Sequence, residues 1–135
     1  MARVGQSEAG LLGVVFDPRG IMTAAPYRTL AADHWCFTGT ELKAGELFGL
    51  RSLHMRCPAG ASGHETDKVS ASSPANVLVL AKGTNRDEGG AEMIIYDTPS
   101  GGQVFSVGSI CYPACLLVDD HVSRITFNVL KYFLE

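Results

Sequence analysis

The stretch that decides the fold of this chain is residues 89–135, GGAEMIIYDTPSGGQVFSVGSICYPACLLVDDHVSRITFNVLKYFLE. Residues 93–97 and 103–107 are two apolar runs on either side of the sequence TPSGG at 98–102. Proline sets φ at the start of such a turn, and the glycines permit the positive φ that tight turns require. The pattern predicts a β-hairpin whose two strands are largely covered.

Residues 120–134 predict a closing amphipathic helix. Its apolar side chains recur at helical spacing and form one stripe, made of Val122, Ile125, Val129, Leu130 and Phe133. Asp119 or Asp120 can cap the helix by accepting hydrogen bonds from its first backbone N–H groups. A domain with layers of sheet and helix ends in this way, so the sequence predicts an α/β or α+β fold.

The elements upstream are shorter and less regular. Residues 11–16 and 76–81 are apolar runs that predict buried strands, and alternating polarity over 50–57 predicts another strand. The other expectations are a short helix over 24–33, an extended segment over 34–37, a weak helix over 41–48 and a solvated turn over 83–90. Only one helix is convincing, which is few for covering both faces of a parallel sheet.

Composition limits the class of protein. The chain has 135 residues, 46% of them hydrophobic, which fits one domain with a surface that a protein partner or a second copy covers. We expect a tail over residues 1–9 and a single domain over 10–135. The net charge of −3 gives no basic footprint for nucleic acid. No apolar run reaches the ~18 residues of a membrane span, and the N-terminal pattern predicts no signal peptide.

The four cysteines are Cys36, Cys57, Cys111 and Cys115. None of them forms a C-x-x-C pair, and the first two lie in apolar surroundings that are typical of buried free thiols. Nothing else in the sequence indicates secretion. We therefore expect reduced thiols and a cytoplasmic protein.

The densest polar group lies in residues 58–74, PAGASGHETDKVSASSP, which predict a long loop that contacts a ligand or a partner. His64, Glu65, Asp67 and Lys68 are its candidate site residues. A histidine beside carboxylates can form an acid–base pair, and His64, Glu65 and Asp67 can bind a divalent metal. The alternative is a polar loop whose side chains hold a turn.

Other constellations are weaker. His34, Cys36, His54 and Cys57 offer zinc-binding atoms, but their spacing lacks the close pairs of structural zinc sites. Cys111 follows the hairpin and could act as a nucleophile with His64 as its base, the alternative being a packed structural cysteine. We assign no catalytic residue from these patterns.

Several segments resemble one family. They are EM at 92–93, DTPSGGQVFSVGSI at 97–110 and VSRITFNVLKYFL at 122–134, with HWCFTGT at 34–40 and GASGHETDK at 60–68 upstream. On these motifs the chain resembles the C-terminal region of the large (beta) subunit of N,N-dimethylformamidase and its relatives.

The resemblance implies a class I glutamine amidotransferase-like, flavodoxin-like sheet, present here in part, that ends in the hairpin and the helix. It also implies an association with the hydrolysis of linear amides. The family enzyme uses an iron ion held by two tyrosines and a glutamate. None of Tyr27, Tyr96, Tyr112 or Tyr132 aligns with a ligand position, so we expect no cofactor in this chain.

Three functions follow from these observations. The first is a structural or subunit-contact module of a formamidase-like amide hydrolase, inactive alone, with residues 60–68 facing the partner. The second is a small metal-assisted hydrolase centred on His64, Glu65 and Asp67. The third is a ligand-binding module without chemistry.

Overall fold

The computed structural model describes residues 6–135 and shows a mixed helix and sheet fold. The two α-helices are α1 (Ala9–Leu12) and α2 (Asp120–Leu134). The nine strands in the described residues are β1 (Val15–Asp17), β2 (Ala24–Ala25), β3 (Tyr27–Thr29), β4 (Leu47–Phe48), β5 (Ser62–Gly63), β6 (Thr66–Lys68), β7 (Leu78–Gly83), β8 (Glu92–Asp97) and β9 (Gln103–Ser106). Four short 3-10 helices lie at Pro18–Gly20, Trp35–Phe37, Arg86–Glu88 and Tyr112–Cys115.

The strands form three sheets. The largest has five strands in the order β4-β3-β7-β8-β9, and two small sheets consist of β1 with β6 and β2 with β5. Every strand pair among the described residues is antiparallel. A flavodoxin-like sheet is parallel, because helical crossovers connect its strands. The part of the chain that the structure describes therefore does not form the flavodoxin-like sheet that the resemblance implies.

The predicted hairpin and closing helix are confirmed. Strands β8 and β9 pair from Asp97↔Gln103 to Ile94↔Ser106, and the turn between them closes with the Thr98 N–H donating to the Gly102 carbonyl at 2.8 Å. Helix α2 has the predicted bounds. Asp119 is its cap, since its carboxylate accepts from the Val122 N–H at 3.1 Å.

The buried side of α2 is narrower than the sequence predicts. Val122, Ile125 and Val129 are buried, whereas Leu130 is 57% exposed and Phe133 is 45% exposed. The helix packs on the 3-10 helix at Trp35–Phe37, whose Cys36 and Phe37 lie in the same core cluster as the first three residues. The last two therefore belong to the surface of the molecule.

Strand β8 is buried on both faces by the chain itself. Met93 and Ile95 point into the main core beside Tyr27, while Ile94 and Tyr96 point into a second cluster on the opposite face of the sheet. This alternation is the strand period of two. The Tyr96 hydroxyl donates to the Leu11 carbonyl, which joins α1 to the second cluster. The prediction that the hairpin strands are largely covered is confirmed for β8.

Other predictions for the first half of the chain are wrong. Residues 24–33 contain β2 and β3 rather than a helix, because Tyr27 and Thr29 are buried on one face of β3 while Arg28 is exposed on the other. Residues 34–37 include a 3-10 helix, and 41–48 end in β4. Residues 50–57 form turns, and the Leu53 N–H donates to the Ala114 carbonyl at 2.9 Å rather than to a strand.

The two apolar runs have different outcomes. The run over 76–81 is confirmed as a strand by β7, although that strand begins at Leu78. The run over 11–16 is divided between α1 and β1, with Gly13 ending the helix. Ala9, within the expected tail, is buried, and residues 1–5 of that tail lie outside the described residues.

The prediction of four reduced thiols is wrong. Cys57 and Cys111 form a disulfide with Cα atoms 5.8 Å apart, which joins the turns at 50–57 to the segment after β9. Cys36 and Cys115 are free and buried. Burial raises the pKa of Cys36 to about 12 and also raises the pKa of Cys115, so neither thiol ionises readily. Within residues 6–135 no helix has the length and apolar content that crossing a membrane requires.

Candidate functional site

The segment at residues 60–68, expected to be a loop, is folded into the molecule. Strand β5 pairs with β2 and strand β6 pairs with β1, so the segment connects both small sheets. A further bridge joins Thr66 to Ser109, just after β9. Its polar residues therefore lie at a junction of three parts of the chain.

A buried hydrogen-bond network centred on Asn85 holds β5. The Ser62 hydroxyl donates to Asn85 Oδ1 at 2.7 Å, and Asn85 Nδ2 donates to Thr23 Oγ1 at 2.7 Å and to the Ser62 carbonyl at 2.9 Å. The Ala91 N–H donates to the Ser62 hydroxyl at 3.0 Å. The network satisfies these buried polar groups inside the fold.

Two further hydroxyls bind the backbone of the same segment. Ser109 Oγ donates to the Ala61 carbonyl at 2.7 Å and accepts from the Gly63 N–H at 2.8 Å. Thr66 Oγ1 donates to the Gly89 carbonyl at 2.7 Å. Ser109 and Asn85 lie in distant parts of the chain, so no local pattern indicates that they support this segment.

His64 adopts a left-handed backbone conformation with φ of 67°. Its N–H donates to the Thr23 carbonyl at 2.7 Å, and its carbonyl accepts from the Met22 N–H at 3.2 Å. A non-glycine residue in this region is uncommon, although histidine is one of the residues that tolerate it. The two backbone hydrogen bonds fix the conformation of His64.

The four predicted site residues do not share one face. The strand period places Asp67, which is half-buried, opposite the buried Thr66 and Lys68 on β6. Glu65 is exposed. Across residues 6–135, no three side chains of the His, Cys, Asp and Glu types are grouped so that they could hold a metal ion. His64, Glu65 and Asp67 therefore do not form a ligand set in the described structure.

The charges of Asp67 and Lys68 are both disfavoured by their surroundings. Burial raises the pKa of Asp67, and the carboxylates of Glu65 and Glu8 raise it further. Burial lowers the pKa of Lys68, and the ammonium of Lys82 acts in the same direction. These shifts have structural causes and do not require a ligand.

We expect Asp67→Asn to stabilise the protein at neutral pH. The pKa of Asp67 in the folded state lies above its ordinary value of 3.8, so its carboxylate lowers the stability of the fold increasingly as pH rises through that folded pKa. Solvent screens this half-exposed group, and we expect a gain of about 0.5 kcal/mol at pH 7 that disappears below its ordinary pKa. Urea unfolding of wild type and variant across pH measures the gain.

Asp33→Asn provides the control, because Asp33 is an exposed aspartate away from this segment. It should leave stability unchanged across the same pH range. A loss of stability in Asp67→Asn at pH 7 would contradict the assignment of repulsion and burial as the causes.

The other predicted constellations have structural explanations. His34 Nδ1 accepts from the Cys36 N–H at 3.2 Å, and His54 Nδ1 accepts from the Arg56 N–H at 3.1 Å, so each histidine holds a local turn. Cys57 lies in the disulfide, which removes a thiolate from the predicted zinc set. The same bond occupies Cys111, so the predicted Cys111–His64 nucleophile and base pair is not formed.

The tyrosines do not fit the iron site that the resemblance implies. The Tyr27 hydroxyl donates to the Val107 carbonyl, and the Tyr112 hydroxyl lies 2.9 Å from Thr126 Oγ1. Burial raises the pKa of both phenols, which opposes the phenolate that an iron ligand needs. The Tyr96 hydroxyl donates to the Leu11 carbonyl, and Tyr132 stacks on Trp35 with ring centroids 4.1 Å apart.

Exposed apolar side chains lie on both of the segments that the disulfide joins. The large ones are 53% to 88% exposed and come from the turns at 50–57 and from the segment after β9: Leu50, Leu53, Met55, Ile110 and Leu117. The disulfide and the Leu53–Ala114 hydrogen bond hold these two segments together. Arg51 and Arg56 are exposed beside it and form no ion pair within the described residues. We call this region the disulfide surface.

Comparison with known proteins identifies the family. Residues 1–123 match the family described as N,N-dimethylformamidase beta subunit-like, C-terminal. The match includes the motifs at 34–40, 60–68 and 97–110 and ends within α2. No curated protein matches the chain. The match covers most of the 135 residues, and the chain therefore belongs to the N,N-dimethylformamidase beta subunit-like C-terminal family.

Proposed function

We propose that this chain is a non-catalytic module of an N,N-dimethylformamidase-like amide hydrolase. The family supports an association with that class of enzyme. In this module, the polar residues of the 60–68 segment stabilise the fold. The disulfide surface contacts the catalytic polypeptide.

The observation that carries the proposal is the disulfide surface. Single exposed apolar residues are common on proteins, whereas a contiguous apolar patch marks an interaction site. Five large apolar side chains lie on two segments that a disulfide and a hydrogen bond join. Arg51 and Arg56 at its margin fit a partner surface that is apolar with acidic residues around it.

The other proposed functions have less support. A metal-assisted hydrolase would need His64, Glu65 and Asp67 to converge, and these side chains are not grouped as a possible metal site within residues 6–135. The glutamine amidotransferase-like sheet that the resemblance implies would have to be built by polypeptide outside residues 6–135. We propose that the catalytic polypeptide contains that sheet.

Two measurements test the proposal. In the first, the purified chain is incubated with N,N-dimethylformamide, whose C–N bond water would cleave to formate and dimethylamine. We expect no dimethylamine above the buffer blank, with or without added iron. Release of dimethylamine that His64→Ala abolishes would overturn the proposal in favour of the hydrolase.

In the second, the chain is co-expressed with the catalytic polypeptide of the formamidase-like enzyme from the same organism, and native mass spectrometry detects the complex. We expect Leu53→Glu with Met55→Glu to remove the complex. Leu11→Glu, a change at an equally apolar exposed position away from this surface, should retain it. A complex that survives the first pair of changes would contradict the assigned surface.

A further inference from the structure

Residues 50–60 form a surface loop whose two ends meet. The Ala61 N–H donates to the Gly49 carbonyl at 2.8 Å, and Phe48 and Ala61 are fully buried at this contact. A Cβ on Gly49 would lie 2.7 Å from the Cβ of Ala61, so glycine permits the close approach of the two ends. A surface segment with adjacent ends is an Ω-loop. Such a loop can open as a unit while the elements at its ends stay in place.

The tip of the Ω-loop, residues 53–59, has few contacts with the rest of the protein. Cys57 is the one buried residue of the tip. Apart from the disulfide, the tip is joined to another segment of the described structure by one hydrogen bond, which the Leu53 N–H donates to the Ala114 carbonyl. The hydrogen bond from the Cys57 N–H to the His54 carbonyl lies within the loop and moves with it. The disulfide is therefore the main anchor of the tip.

The base of the Ω-loop is held by a group that reduction of the disulfide does not change. Asp119 Oδ2 accepts from the Leu50 N–H at 2.9 Å and from the Arg51 N–H at 3.4 Å. Asp119 is also the cap of α2, which fixes the position of its carboxylate. Loss of the disulfide is therefore expected to free the tip while the base stays attached to the start of the helix.

We propose that the Cys57–Cys111 disulfide is a redox switch that controls the Ω-loop. Ordering a segment costs conformational entropy for every residue, and the single hydrogen bond from Leu53 does not offset that cost for the whole tip. In the oxidised protein the covalent bond holds the tip in one place. In the reduced protein the tip is mobile, while β7 and β8 remain folded.

The switch operates by thiol–disulfide exchange with a dithiol. One thiolate of the dithiol attacks Cys57 Sγ, the S–S bond breaks, and Cys111 leaves as a thiolate that takes up a proton. The second thiol of the dithiol then attacks the mixed disulfide, which releases Cys57 as a thiol and leaves the reductant as its own disulfide. Arg56 and Pro58 are exposed beside Cys57, whereas Cys111 is fully buried. Cys57 is therefore the sulfur that the dithiol reaches when the loop opens.

Reduction also changes the disulfide surface. Leu53 and Met55 lie on the tip of the Ω-loop, whereas Ile110 and Leu117 lie on the segment to which the disulfide joins it. Once the bond is broken, the tip no longer has a fixed position relative to that segment. The consequence for binding rests on the proposed function, in which this surface contacts the catalytic polypeptide. The reduced chain then binds more weakly, because apparent affinity falls with the fraction of molecules in which the loop is closed.

Amide hydrogen exchange of the full chain, with and without dithiothreitol, tests the switch in the absence of a partner. We expect the amides of residues 53–59 to exchange at least about tenfold faster after reduction, while those of β8 remain protected. Unchanged exchange of the tip would show that the disulfide does not hold it. Exchange of β8 as fast as that of the tip would show that reduction unfolds the whole chain. Either result would overturn the proposal.

Two sets of variants serve as controls. Cys57→Ala with Cys111→Ala should show fast exchange of the tip whether or not dithiothreitol is present. Cys36→Ala removes a buried thiol outside the disulfide and should keep the response to dithiothreitol. Loss of that response in Cys36→Ala would contradict the assignment of the switch to the Cys57–Cys111 bond.

A binding titration separates this inference from the proposed function. The oxidised and the reduced chain are each titrated with the catalytic polypeptide of the formamidase-like enzyme from the same organism, and we expect a Kd at least about tenfold higher for the reduced chain. No complex with the oxidised chain would contradict the proposed function, and hydrogen exchange would still decide whether the loop is switched. Equal affinities of the two forms, both lost in Leu53→Glu with Met55→Glu, would overturn the control of binding by the disulfide.

Discussion

Reducing the Cys57–Cys111 disulfide is expected to lower the free energy of unfolding by about 4 kcal/mol. The two cysteines are 54 residues apart, and closing a loop of that length removes conformational entropy from the unfolded chain. Typical domains have a total stability of about 5–15 kcal/mol, so the reduced protein is expected to be marginally folded. Reduction is expected to lower the free energy of unfolding whether the stabilisation by the disulfide is entropic or enthalpic in origin.

Urea unfolding with and without a thiol reductant measures this difference. Thiol titration of the unfolded protein should find two free thiols before reduction, from Cys36 and Cys115, and four after it. The double variant Cys57→Ala with Cys111→Ala should match the reduced wild type and lose its response to reductant. Cys115→Ala removes a buried thiol without a cross-link and should retain that response.

A finding of four free thiols in protein purified under oxidising conditions would contradict the disulfide. Equal free energies of unfolding for the oxidised wild type and the double variant Cys57→Ala with Cys111→Ala would also contradict it. The bond also bears on where the protein works, because disulfides persist in oxidising compartments. The cytoplasmic location expected from the sequence remains a prediction, and the titration of protein isolated from its own cells would test it.

The hairpin and the closing helix could be predicted because their signals are local. The sequence TPSGG supplies a turn within five residues, and the helix shows its period and its cap at Asp119 within one continuous segment. The prediction for α2 was wrong only about how much of its apolar stripe is buried. Leu130 and Phe133 have the hydrophobicity of core residues, but only tertiary packing decides which part of an apolar stripe is buried.

The small sheets could not be predicted, because their strands are two or three residues long and pair across distant parts of the chain. Ala24 pairs with Gly63, and Val15 pairs with Lys68. Strands this short show no measurable alternation, and alanine, glycine and serine favour other structures. The backbone contacts that specify these sheets are not visible in side-chain patterns.

The arrangement of the candidate site residues could not be predicted from the sequence either. Residue type marked His64, Glu65, Asp67 and Lys68 as a group, but the period of β6 directs Asp67 and Lys68 to opposite faces. Thr66 and Ser62, which are not among those four residues, are fully buried in the segment. The family resemblance was more informative than the chemistry of the motif, and it is confirmed over residues 1–123.

Gly63→Ala is expected to destabilise the protein by about 2–5 kcal/mol. Gly63 has φ of 153°, outside the conformations that side chains favour, and strand β5 brings it against the backbone of Thr23 and Ala24. An added Cβ would overlap the Thr23 carbonyl oxygen, which is backbone and cannot rotate away. The conformational cost is about 1–2 kcal/mol and the overpacking adds about 1–3 kcal/mol.

Gly45→Ala separates these two costs. Gly45 has φ of 89°, and no atom lies within 4 Å of the position that its Cβ would occupy, so only the conformational cost applies. We expect a loss of about 1 kcal/mol at Gly45, measured with Gly63→Ala by the same urea unfolding. Equal losses at the two positions would mean that β5 does not lie against Thr23. The junction formed by the Ser62, Asn85 and Ser109 hydrogen bonds would then not be the feature that fixes the 60–68 segment in the fold.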